Sequence, residues 1–313
     1  MQKIMMKKTI VTHGGKFHAD DVFSVAALTH LFPDANVIRT RDAELIADAD
    51  IVVDVGQEYD SETGRFDHHQ RNGAGARDNG IPYSSFGLVW RHYGLDICQG
   101  NQQLVDMLDT DLVSVIDAID CGHVAGEDEH GVSLSRTIGL FNPTWQEADD
   151  FDACFKQAVE FATHILMRFM ATTQAKLNAY QQVVQAIEQA EDPRIIVLGQ
   201  YLPWKQAVHD HGEQALYVVY PSSAQPSPTQ PSPTQPSSTQ PSSTQQWMIQ
   251  AVSVTLDSFA NKQSLPATWA GLADGELQQV TGVSDARFCH NGRFIAGAAS
   301  FAGAMSLAGL ATK

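Results

Sequence analysis

The chain has 313 residues, 43% hydrophobic and 18% charged, and Asp plus Glu outnumber Lys plus Arg 36 to 20, for a formal charge of −16. That length and apolar content suffice for two domains of ordinary size, and the charge argues against a protein that coats long nucleic acid with a broad basic face. No run approaches the roughly 18 apolar residues of a membrane span, no apolar core of a secretory signal follows the basic opening MQKIMMKK, and the scattered cysteines Cys98, Cys121, Cys154 and Cys289 read as reduced thiols of a cytoplasmic protein.

The first third alternates strands and helices. Residues 8–12 (KTIVT) read as a strand that ends in His13-Gly14-Gly15. A helix is predicted over 20–32, where Val22, Val25, Ala26, Leu28 and Leu31 fall largely at helical spacing and Pro33 is the stop. Residues 36–40 and 50–55 (DIVVDV) predict two more strands, a short helix covers 43–49, and 65–67 is a fourth short strand. Helices follow over 84–93 and 102–119. This alternation predicts an α/β fold with a mostly parallel sheet flanked by helices.

Residues 144–192 contain neither Gly nor Pro, and Phe151, Phe155, Ala158, Ala162, Ile165 and Phe169, then Leu177, Tyr180, Val184 and Ile187, predict one long helix, or two, joining two domains. Strands are predicted over 195–198, 215–220 and 247–254, in a smaller C-terminal α/β domain. Between the last two lie four copies of a five-residue unit over 225–244: QPSPT twice, then QPSST twice. A segment without apolar side chains and rich in proline predicts a disordered or polyproline-like insert that swells a hairpin turn. The expected organisation is a first domain over 1–145, a helical linker over 146–192, and a second domain over 193–313 with its insert at 222–246.

The residues suited to chemistry lie before position 125. His13, His18 and Asp20 follow the first strand, Asp54 sits near the end of the third, Asp67-His68-His69 follows the fourth, and Asp117 and Asp120 close a helix before Gly122. In an open parallel sheet the carboxyl ends of the strands lie along one edge, where ligands bind. Residues closing strands one, three and four therefore converge, and here they are almost all imidazole or carboxylate. Clustered carboxylates without Lys or Arg repel one another, and metal cations are the simplest compensation. Mixed His and Asp donors suit Mn²⁺, Zn²⁺ or Fe²⁺ better than Ca²⁺. The set is enough for two ions sharing a bridging carboxylate, which would reduce the −16 charge to −12. Plainer readings exist for single members. Asp20 or Asp21 can cap the following helix, and Asp117 or Asp120 can be solvated. Asp54 leans functional even alone, because a carboxylate in a buried strand is costly without a partner.

The order H-x4-H-x-D, VVDVG, DHH and D-x2-D-x-G resembles the DHH phosphoesterase superfamily. The segments THGGKFHADDVFSVAAL, VIRTRD, IVVDVGQEYD, RFDHHQR, SSFGLVWRHYG, IDAIDCG, FNPTW and PWK closely resemble the melanocyte-proliferating-gene (Myg) family of DHH-type metal-dependent hydrolases. Its studied eukaryotic members are described as 3′–5′ RNA exonucleases. The resemblance runs from Thr9 to the C-terminus, interrupted by the repeat.

The resemblance implies a catalytic first domain and a substrate-binding second domain. It implies metal ligation by His13, His18, Asp20, Asp54, His68 and Asp120, with Asp117 as the alternative to Asp120 and Asp54 bridging two ions. His18 stands where most of the superfamily carries Asp. His69 is expected near the scissile phosphate, Asp67 orients its segment, and Arg71 stabilises phosphoryl charge. In the second domain the superfamily's glycine-rich segment usually ends in His. The matching stretch keeps Gly297 but has Ala298 at that position, which leaves Lys205, His290 and Arg293 as candidate phosphate contacts. The expected cofactors are two divalent ions, Mn²⁺ first, with Mg²⁺ or another divalent as options. The expected substrate is short RNA or an oligonucleotide, with no membrane partner and the oligomeric state open, a homodimer included. Two rivals remain at this point: a phosphatase or phosphodiesterase of small nucleotides, and a non-catalytic protein that metal merely stabilises.

Overall fold

Short apolar runs, buried along the strands Thr9–Thr12 and Ile51–Val53, form the centre of the first sheet. The computed structural model describes residues 7–123, 132–222 and 246–313, so the repeat over 225–244 lies outside the described residues. The chain divides into two compact units, Met1–Ala175 and Lys176–Lys313.

The first unit holds, in chain order, β1 (Thr9–Thr12), α1 (Ala19–Leu31), β2 (Asn36–Arg39), α2 (Ala43–Asp48), β3 (Ile51–Val53), β4 (Tyr59–Asp60), β5 (Arg65–Phe66), α3 (Ser85–Ile97), α4 (Gln102–Leu108), α5 (Ser114–Asp120), α6 (Leu134–Gly139) and the start of α7 (Phe151–Glu188). The strand order is β2-β1-β3-β5-β4. The first four strands are parallel, and only β4 runs antiparallel, against β5. Ile10, Val11, Ile51, Val52 and Val53 are buried, as expected where helices cover both faces of a parallel sheet. The fold is α/β, as the alternation of elements predicts.

Local chemistry sets the ends of these elements. The Asp42 carboxylate accepts from Glu44 and Leu45 N–H and starts α2. The Asp150 carboxylate accepts from Ala153 N–H at the start of α7, which then runs unbroken for 38 residues. One of the two options for the Gly- and Pro-free stretch, a single helix, is therefore the observed one. The helix expected over 102–119 is instead interrupted by a π-helical turn, Asp109–Val113, between α4 and α5. There the Thr110 and Ser114 hydroxyls donate to carbonyls one turn back, a competition with the backbone ladder that bends helices. π turns are frequent at functional sites.

The second unit continues α7 and adds β6 (Ile195–Val197), α8 (Lys205–His211), β7 (Tyr217–Pro221), β8 (Trp247–Ala251), α9 (Asp274–Thr281), β9 (Ala286–Cys289), β10 (Ile295–Ala298) and α10 (Phe301–Ala311). Its order is β6-β7-β8-β10-β9, with β6 and β7 parallel and the remaining pairs antiparallel. β7 and β8, on either side of the repeat, pair as a hairpin with Pro221 opposite Trp247. Period-two alternation along β7 sends Tyr217 and Val219 into one apolar core and Val218 and Tyr220 into the other.

Candidate metal centre

The ends of β1, β3 and β5 bring the expected residues together. β1 runs directly into His13, and the next helix begins at His18, whose N–H is accepted by Asp21 Oδ1 at 2.9 Å. The cap of α1 is thus His18, assisted by Asp21, and not Asp20. That division of labour frees Asp20: its side chain is fully buried, and both of its carboxylate oxygens lack a hydrogen bond.

Asp54 follows β3 with φ 58, a left-handed backbone uncommon outside glycine. Strain of this kind persists where the surroundings over-determine it. Its two oxygens face different histidines. Oδ2 lies 3.2 Å from His13 Nε2, and Oδ1 lies 3.3 Å from His68 Nε2. Ser85, in the first turn of α3, donates to Oδ1 at 3.0 Å. His13 Nε2 is also 3.3 Å from Asp21 Oδ2, while His68 Nε2 is 3.4 Å from Asp120 Oδ2 and 3.7 Å from Asp20 Oδ2.

Donor atoms that share one ion at roughly 2.0–2.2 Å lie about 3.0–3.5 Å apart. The spacings here fit that pattern, and the hydrogen-bond inventory fits it too. Asp20 Oδ1 and Oδ2, Asp21 Oδ2 and His68 Nε2 are buried without a hydrogen bond of acceptable geometry, although buried polar atoms ordinarily find partners. Potential ligand atoms fall within 4.8 Å of one another in four groups: His13, His18 and Asp54; Asp54, His68 and His69; His18, Asp20 and Asp120; and His68, Asp120 and Cys121. Asp54 belongs to two of them. The residues present fit a metal, with His13 Nδ1 3.3 Å from the Gly14 carbonyl and so available to donate, leaving Nε2 for coordination.

Electrostatics tells the same story. Burial, with Asp54, Asp120 and Asp21 nearby, pushes Asp20 well above the usual carboxylate range. Burial raises Asp21 to about 7 against the pull of His13, and raises Asp120 against the pull of His68. Burial would also raise Asp54, but His13 and His68 outweigh it and hold this carboxyl low. Burial would lower His68, yet Asp54, Cys121 and Asp120 carry it up to about 10. Four acids therefore crowd around the imidazoles of His13 and His68, an arrangement that a divalent cation relieves.

The remaining expected residues divide. Asp67 is buried and accepts from Gln57 N–H at 2.6 Å and His69 N–H at 3.1 Å, with His69 Nδ1 at 2.8 Å. His69 keeps 56% of its side chain exposed, and its Nδ1 is 3.4 Å from Asp54 Oδ1. Arg71 is exposed on the loop that follows. Asp117 does not join the cluster. It is fully buried, accepts from Arg77, Ser84 and Gly87, and shares Arg77 with Asp109. Burial pushes it up to about 6 against those donors. A Cβ on Gly87 would overlap the Asp117 carboxylate, so only glycine fits there. In the second unit Lys205 is exposed, Arg293 is partly exposed with φ 54, and Gly297 packs against Phe288 and Met248.

Sequence reasoning did not assign Asp21, Ser85 or Cys121 to the site. The thiol of Cys121 lies 3.8 Å from His68 Nδ1. Only the second of these had a usable signal, as a hydroxyl at the start of a helix pointing back to a strand end.

Comparisons with known proteins agree on one family. The family model described as "Uncharacterised protein family (UPF0160)", MYG1_exonuc, matches residues 9–312. The human protein named MYG1 exonuclease is 33% identical, over 98% of this chain and 86% of its own length. The Caenorhabditis elegans protein named MYG1 protein C27H6.8 is 31% identical, over 97% and 94%. The Mus musculus MYG1 exonuclease is 30% identical, over 97% and 85%. The chain belongs to the MYG1 family, whose named exonucleases make it part of a nuclease-like hydrolase family.

Proposed function

We propose, from that membership, that the protein is a divalent-metal-dependent phosphodiester hydrolase that removes nucleotides from the 3′ end of RNA or short oligonucleotides. The observation that carries the metal part of this reading is the Asp54 carboxylate, each of whose oxygens faces a different histidine at 3.2 and 3.3 Å. His13, His18 and Asp54 would hold one ion. Asp20, Asp54, His68 and Asp120 would hold the other. Mixed imidazole and carboxylate donors favour Mn²⁺ among the common ions.

When bound, such a pair lowers the pKa of a shared water, neutralises phosphate charge and stabilises the leaving oxygen. The protein's own groups do the rest. Asp67 accepts from His69 Nδ1–H, which fixes the ring and leaves Nε2 to donate to a phosphoryl oxygen when protonated. Arg71, exposed on the loop that follows, adds positive charge for the phosphoryl oxygens. Ser85 keeps Asp54 in place. In this reading Lys205, Arg293 and Gly297 are the substrate-binding residues of the second unit. No helix among the described residues is long and apolar enough to cross a membrane. The four cysteines are free, which suits the cytoplasmic location that belongs to the same proposal.

End-labelled RNA incubated with purified protein and Mn²⁺ tests it. Stepwise shortening of the label from the 3′ end, lost in chelator and in Asp54→Asn, is the expected result. Activity that survives both treatments contradicts the mechanism, and cleavage confined to mononucleotides or dinucleotides contradicts the substrate class.

A further inference from the structure

The loop between His13 and His18 carries a candidate ligand at each end, and its middle contains Gly14 and Gly15. Glycine resists ordering more than any other residue, so this loop needs an external fastening if both imidazoles are to meet one ion. Two side chains distant in sequence supply it.

Asn142 grips the backbone of Phe17 at two points. Its Oδ1 accepts from Phe17 N–H at 3.0 Å, and its Nδ2 donates to the Phe17 carbonyl at 2.9 Å. Only a primary amide of this length can accept and donate in one plane in that way. Arg39, at the end of β2, fastens the same loop at a second point. Its Nη2 donates to the Gly15 carbonyl at 2.6 Å and its Nη1 to Asp152 at 2.8 Å. The guanidinium lies 4.4 Å from the centre of the Phe155 ring and 5.5 Å from that of Phe17. It is 4% exposed, and Phe17 itself is fully buried with its ring edge-on to Phe155.

We propose that Asn142 is a positioning residue, seconded by Arg39, which holds the His13–His18 loop in its ligating geometry. The inference rests on the metal-site reading above. It adds that the two ions are unequal in their dependence on this clamp. The ion held by His13 and His18 depends on it most, because both of those ligands come from the loop, whereas the ion held by His68 and Asp120 has only His18 of the loop within reach. Loss of a group that orients a metal ligand typically costs about 10–100-fold in metal affinity.

The test is titration of the metal-free, full-length chain with Mn²⁺, following free Mn²⁺ by electron paramagnetic resonance, beside the melting temperature of the metal-free protein. Asn142→Leu keeps the shape and removes both hydrogen bonds. Asn142→Asp keeps the acceptor and loses the donor. The expected result is two binding steps in the wild type, of which one weakens about 10–100-fold in Asn142→Leu and by an intermediate factor in Asn142→Asp, with the other step moved by a clearly smaller factor. Arg39→Lys shifts the same step by less. Unaltered titration of Asn142→Leu overturns the proposal, and so does equal weakening of both steps together with a large fall in melting temperature. Should Asn142→Leu not fold, Asn142→Asp decides in the same terms. Absence of Mn²⁺ binding by the wild type would instead refute the metal-site reading on which the proposal rests.

Discussion

Both units are built on five-stranded sheets over apolar cores, yet they differ in what the ends of their strands bury. In the first unit the strand ends bury His13, Asp20, Asp21, Asp54 and Asp67, and several of their polar atoms have no hydrogen bond. In the second, the strands close on an apolar core. Ala298, at the position where the superfamily resemblance expects His, is fully buried in that core, opposite Trp247 and Ala286. An imidazole there would replace a methyl group among apolar neighbours. The difference teaches that equal architecture does not imply equal chemistry. Unsatisfied buried charge costs stability and is retained where a ligand compensates it, while a sheet relieved of that demand packs for stability alone.

The contrast can be broken most forcefully through turnover. Asp54→Asn is expected to lower hydrolysis roughly 1000-fold, the several kcal/mol that a lost metal bridge represents, in a steady-state assay with labelled RNA. A mutant within tenfold of wild type would remove the distinction between the two sheets.

The next effect concerns buried charge that is structural. Arg77, 8% exposed, serves both Asp109 and Asp117. Arg77→Ala leaves the buried Asp117 carboxylate only its neutral donors Ser84 and Gly87 and should cost about 3–5 kcal/mol in urea denaturation. A loss below about 1 kcal/mol, the range of surface ion pairs, would show that Asp117 does not depend on this partner. A smaller loss is expected in the second unit. A Cβ on Gly297 would stand 2.7 Å from the Phe288 ring, so Gly297→Ala should destabilise by about 1–3 kcal/mol. Unchanged stability would mean that this packing yields freely.

The smallest effect has the opposite sign. Asp20→Asn removes one of the mutually repelling acids, so in chelator it should raise stability by about 0.5–2 kcal/mol, while abolishing the rise in melting temperature that Mn²⁺ gives the wild type. A variant that is destabilised in chelator would indicate that the Asp20 carboxylate supports the fold on its own.

Much of the site is legible in the amino-acid sequence because a parallel sheet gathers the residues that follow its strands. That rule alone groups His13, Asp54 and His68. The choice between Asp117 and Asp120 is not legible, since both precede Gly122 in the same helical stretch. It depends on the π turn at Asp109–Val113, because one added residue turns all later side chains by about 100°. Asp21 was hidden by its second task as the acceptor for His18 N–H. In the second unit β9 and β10 went unread because ARFC and IAGA are short and partly small. α10 (FAGAMSLAGLA) went unread because its apolar residues surround the whole helix rather than marking one face.

The claim on which the rest depends is that the strand ends of the first sheet hold two ions that share Asp54. Anomalous diffraction at the manganese edge, from crystals of the full chain soaked in Mn²⁺, addresses it directly. The prediction is two peaks flanking the Asp54 carboxylate, one beside His13 and His18 and the other beside His68 and Asp120. No peak at this position, or His13 and His68 turned away from Asp54, would contradict it.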